Sequence, residues 1–238
     1  MKKVFCFGDG YATGHIWPEW PQILQVLAPD YQVINIAAIG AGSEFLVSEF
    51  VEYLDQMQDS TIIFQWPHHK RFDKLIEDKS WDEIIANDSV YHFNVNLDSH
   101  GRKWWNSSGS TTDKVQTYHR HYVQTQQSTR RQQVYQALVS QTAANLNCKL
   151  VYTTTEAEDA YSRLNRFADL RGTQVQPAPP VHFYWLMENI IPQAEIEIST
   201  KIQSQLEALL LQTQWVPYDP DREEIWNNIK SAIKLSNP

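Results

Sequence analysis

Cysteine is nearly absent: the chain of 238 residues has two, Cys6 and Cys148. Two thiols make neither a disulfide framework nor a zinc motif, so each is expected as a free thiol in a short buried strand. Positive charge is also scarce. Lys and Arg number 20 against 28 Asp and Glu, for a net charge of −8, and no basic run exceeds Arg130-Arg131. That balance argues against a nucleic acid or an anionic membrane surface as the main partner. Long hydrophobic runs are missing as well. Nothing approaches the roughly 18 apolar residues of a membrane span, and the run after Lys2-Lys3 is too short for a signal peptide. A cytoplasmic protein is expected. Internal repeats and linkers are lacking, which points to a single domain over residues 1–238. What is plentiful is core material: 42% of residues are hydrophobic and nine are Trp. A chain of this length can bury most of the surface its unfolded form exposes.

Apolar runs of strand length occur at residues 3–8, 31–37, 61–66 and 149–155. Between them lie stretches of helical period. In 43–57, Val47, Phe50, Val51, Leu54 and Met57 share a face. Residues 115–146 suggest a longer helix interrupted by the polar "QTQQSTRRQQ", and 156–168 another. Residues 194–212 place Ile198, Ile202, Leu206 and Leu209 on a stripe. A last helix opens at Asp219-Pro220 and repeats Ile225, Ile229 and Ile233. Strands alternating with helices predict a mainly parallel sheet in a three-layer α/β/α domain. Such sheets bind ligands beyond the carboxyl ends of their strands. A polar insertion at about 78–115 breaks the alternation and is expected to pack over the strand ends. Its Trp104-Trp105 pair either forms an exposed binding platform or seals the insertion onto the domain.

Four motifs fall where the carboxyl-end rule directs attention. "FGDG" follows the first strand and "NIAAIGAGS" the second. "IIFQWPHHKRFD" covers the end of the third, and "DLRGTQVQPAPPVHFYW" precedes the last helical part. Their order and spacing over residues 3 to about 190 resemble the SGNH/GDSL hydrolases, particularly small phage-type and bacterial members. The resemblance implies a flavodoxin-like sheet and an esterase-type site. It also implies a Ser nucleophile after Gly-Asp, an oxyanion-hole Gly in the second block and an Asn in the third. The last block would supply an Asp and a His. Gly40 matches the second-block Gly, and Arg71 resembles an Arg of the phage-type branch. Pro177 and His182 match the last block.

The departures fall on the chemistry. The nucleophile position is Gly10, next to Asp9, and the positions of the catalytic Asp and His are Thr173 and Gln176. No Asn lies between Ser60 and Ile76. Acyl transfer by this route needs a nucleophile, a base and a group that orients the base, and none of the three is present. The resemblance therefore implies a catalytically degenerate protein with a binding or structural role, and a virion or accessory component if phage-encoded. The alternative is an esterase or acetylhydrolase working through a non-standard nucleophile or an activated water.

Ser43 is a candidate for a displaced nucleophile or a helix N-cap. His182 is a candidate base or a structural residue. His68 and His69 point opposite ways on an extended chain, so one faces the pocket and no paired metal site forms. No cofactor or metal is expected. The expected pocket comprises Asp9, Gly10, Gly40, Trp66, His68, Arg71 and His182, for a small acylated or acidic ligand, a protein partner being the other candidate. Arg71 contacts that ligand, or else ties its loop to Asp73 or Asp9.

Overall fold

The computed structural model describes residues 1–13, 17–67, 71–75, 93–107, 125–154, 178–216 and 219–236. Among these the strands are β1 (Lys2–Phe7), β2 (Tyr31–Asn35), β3 (Thr61–Trp66), β4 (Phe72–Leu75), β5 (Phe93–Leu97), β6 (Lys103–Ser107) and β7 (Lys149–Thr154). The helices are α1 (Trp20–Leu27), α2 (Ser43–Glu52), α3 (Thr125–Asn145), α4 (Pro179–Trp185), α5 (Thr200–Gln212) and α6 (Arg222–Ser236). The strands β2-β1-β3-β7 form a wholly parallel sheet in that order. The chain steps one way from β1 to β2 and the other way to β3, the reversal of a doubly wound, flavodoxin-type sheet.

Alternation along the strands divides the core into two layers. Val4, Cys6, Ile63 and Val151 face α1, α4, α5 and α6. Phe5, Phe7, Ile62, Phe64 and Trp66 face α2 and α3. Helices thus cover both faces, and the fold is a three-layer α/β/α sandwich. Burial on both sides explains why these strands are continuous apolar runs rather than alternating ones.

Several helices differ from the sequence expectation. α1 and α4 were not expected. The Gln22 side chain accepts from the Glu19 amide (2.8 Å) at the start of α1, whose first turn holds Pro21. Pro179 and Pro180 open α4, where the missing N–H groups cost nothing. α4 passes through a π-helical turn, Leu186–Ile190, into a final turn, Ile191–Ala194. From Thr125 onward the polar stretch of residues 124–133 is helical and runs unbroken into the rest of α3, because Gln and Arg are good helix formers. The expected helical part at 115–124 lies outside the described residues. α5 starts at Thr200 rather than 194, with Ser199 as N-cap. Leu210 is buried on it and Leu209 only partly so. Cys6 is buried in β1, while Cys148 lies half-buried just before β7; both are free. The 156–168 helix lies outside the described residues.

The described part of the insertion is built with β4 into a separate antiparallel sheet, ordered β4-β6-β5. It docks on α2. The Ser99 amide and hydroxyl donate to Glu49 (3.1 and 3.2 Å), and Asn96 donates to the Ile39 carbonyl (2.8 Å). Trp104 is buried edge-on to Phe45, so it seals this sheet to the domain.

Candidate functional site

The carboxyl end of β1 runs through Gly8 into Asp9 and a 3-10 turn, Gly10–Ala12. The Ala12 amide donates to the Asp9 carbonyl (2.9 Å), and the Ala38 amide to the Gly8 carbonyl (3.1 Å), which joins the loops after β1 and β2. Gly8 has a steric role: a Cβ there would lie 2.9 Å from Gln65 Oε1 and 3.0 Å from the Ala12 Cβ. Gly40 adopts a left-handed conformation (φ 73°) in the turn after β2, which suits glycine.

Two buried side-chain pairs occupy this end of the sheet. Arg71 Nη1 lies 2.6 Å from Asp9 Oδ2, with the Asp9 side chain fully buried and that of Arg71 20% exposed. This joins the loop after β1 to the segment after β3. His182 Nε2 lies 2.5 Å from Glu19 Oε2, and both side chains are fully buried. That pair joins the N-terminus of α1 to α4. Burial pushes the Glu19 carboxyl above its ordinary range; His182 draws it down, and the charge of Asp9 raises it again. A third polar link completes the floor: Trp20 donates its indole N–H to Gln65 Oε1 (3.1 Å), in a fully buried contact between α1 and β3. Burying a carboxylate is costly unless it is paired, and each acid here has its cation or imidazole.

Of the expected pocket residues, Asp9, Gly10 and Arg71 come together at the end of β1. His182 is near them through Glu19 but is wholly buried rather than lining an open pocket. Trp66 is not a pocket wall. It is 1% exposed, stacked on Phe64 (4.2 Å between centroids) and edge-on to Tyr152 in the layer under α2 and α3. Of the two acids proposed for Arg71, the structure selects Asp9. Asp73 instead receives the Gly42 and Phe45 amides (2.7 and 2.8 Å) at the start of α2. Gly42, not Ser43, is the N-cap. His68, Thr173 and Gln176 lie outside the described residues, as do His69 and Pro177.

Glu19 and Gln65 were missed. The only trace of Glu19's role in the sequence is its setting, an acid between Trp17-Pro18 and Trp20-Pro21. Among the described residues no cluster of His, Cys, Asp and Glu is arranged to hold a metal ion, and no helix is long and apolar enough to cross a membrane. No family model matches the chain, and no curated protein is significantly similar to it in sequence.

Proposed function

We propose that this chain is a catalytically silent relative of the SGNH hydrolases, with a structural or assembly role. One observation carries the reading. At the nucleophile position stands Gly10, and the acid beside it, Asp9, is committed to a buried ion pair with Arg71. A hydrolase would hold a hydroxyl at this place and keep its polar groups ready for substrate. Here they are spent on joining loops. The four motifs in order support the family, and the phage-type third block is the basis for placing the protein as a virion or accessory component. The Arg71–Asp9 pair favours structure over the alternative of a small acylated or acidic ligand at Arg71.

A second reading has its own observation. Glu19 and His182 form a carboxylate–imidazole dyad close to Asp9, the pairing that an activated-water esterase requires. Its full burial counts against it. Turnover of p-nitrophenyl acetate separates the two readings. Under the first, wild type matches the heat-denatured protein, and Gly10→Ser with Thr173→Asp and Gln176→His gains turnover. Turnover by wild type that disappears in a folded His182→Asn variant overturns the first reading and establishes the second.

A further inference from the structure

Along the outer side of β2, the helices α1 and α6 and that strand line an open surface cavity of about 260 Å³, which reaches Asn35 at the strand's carboxyl end. Its walls are apolar where Val26, Val33 and Trp226 meet, and polar elsewhere. Most of the polar groups are already engaged. Gln25 uses both ends of its amide on β2, donating to the Tyr31 carbonyl and accepting from the Val33 amide, each at 2.9 Å. Asn35 donates to the Ala12 carbonyl (2.5 Å) and accepts from the Ala37 amide (3.2 Å). The Gln22 carbonyl oxygen accepts from the Glu19 amide.

Three lining groups are left: the Gln22 NH2, the Trp226 indole N–H and the Lys230 ammonium. All are donors, and one is charged. Lys230 is half-buried, forms no ion pair with any described residue, and among the described residues no acid lines the cavity. That is notable in a chain with more acids than bases, where a surface ammonium readily meets a carboxylate.

We infer that this cavity binds a small organic anion, a carboxylate carrying a compact apolar group. The carboxylate would accept from Lys230 and Gln22, and the apolar part would lie on Val26, Val33 and the Trp226 edge. The volume lies just below the roughly 300–1,000 Å³ of drug-sized ligand sites, which suits a single ring or a short chain. The site is independent of the reading given for Gly10 and Arg71.

The test is a chemical-shift titration of the full chain with sodium benzoate and with benzamide, its neutral counterpart, followed at the Trp226 indole N–H. Benzoate should shift that signal saturably. Benzamide should bind about tenfold more weakly or worse, since a hydrogen bond to a charged group is worth roughly 1.5–3 kcal/mol. Lys230→Met should weaken benzoate by a similar factor, and Lys230→Arg should retain it. Equal binding of the two probes, or no saturable shift, overturns the inference. So does a Lys230→Met variant that binds as wild type, or equal loss in the Met and Arg variants.

Discussion

Arg71 bears a load that its position in a loop conceals. The Asp9 carboxylate it neutralises is fully buried. Removing the guanidinium leaves a charge in the interior that must either stay unpaired or take up a proton. Breaking a buried pair costs about 3–5 kcal/mol, and the partial exposure of Arg71 lowers the expected loss to about 2–3 kcal/mol. Arg71→Ala should therefore melt about 5–10 °C below wild type for a chain of this size. Asp9→Asn placed in the same background should recover part of that loss. A melting temperature unchanged by Arg71→Ala would return Arg71 to a ligand-binding role.

Gly42 offers a separate test, because a Cβ there would fall 2.7–3.0 Å from the Asp73 carboxylate atoms. Gly42→Ala should displace Asp73 from the start of α2 at a cost of about 1 kcal/mol, the worth of a helix cap. Gly42→Ala and Asp73→Ala combined should cost much less than the sum of the two, measured by chemical denaturation. Additive losses would show that Asp73 is not the group displaced.

Among the elements, the small sheet depends on one acid. Burial alone would raise the Asp98 carboxyl. Bonds from the Trp104 indole, from the Arg102 side chain and amide and from the His100 amide outweigh burial and hold it below the ordinary carboxylate range. A carboxyl depressed in the folded state contributes stability above its unfolded value, near 3.9, and loses it as pH falls through the lower folded value. Protection of the amides of residues 93–107 against hydrogen exchange, relative to their intrinsic rates at each pH, should therefore fall as the pH drops below about 4, before that of the four-stranded sheet does. Asp98→Asn should show fast exchange at pH 7 and no such acid step. An unchanged acid profile in the variant would assign the step to another group.

The edge of β2 has a comparable device, since the Gln25 amide occupies backbone groups that a neighbouring strand would otherwise take. Exposed edges template association, so Gln25→Ala should sediment with a concentration-dependent mass while wild type does not.

The four parallel strands were legible because burial on both faces makes them continuous apolar runs. α1 and α4 were not: each is short, and the prolines at their starts resemble breakers as much as helix openings. Asp9 and Arg71 could be named because both adjoin strand ends. Glu19 could not, since its partner His182 is distant in sequence and only packing of α1 against α4 brings them together.

At the scale of the whole molecule, the sheet ends where a doubly wound fold places its chemistry, yet the groups described there are spent on holding loops and helices. Trp66 and His182, which a sequence reading assigns to a ligand, belong to the core on opposite sides of the sheet. The proposed absence of a nucleophile at Gly10 is most directly tested by intact-mass spectrometry after exposure to a fluorophosphonate. The expected spectrum is that of the unmodified chain, with an adduct appearing only when Gly10→Ser is combined with Thr173→Asp and Gln176→His. A stoichiometric adduct on the wild-type protein, mapped to Ser43 or any other single serine, would contradict the account.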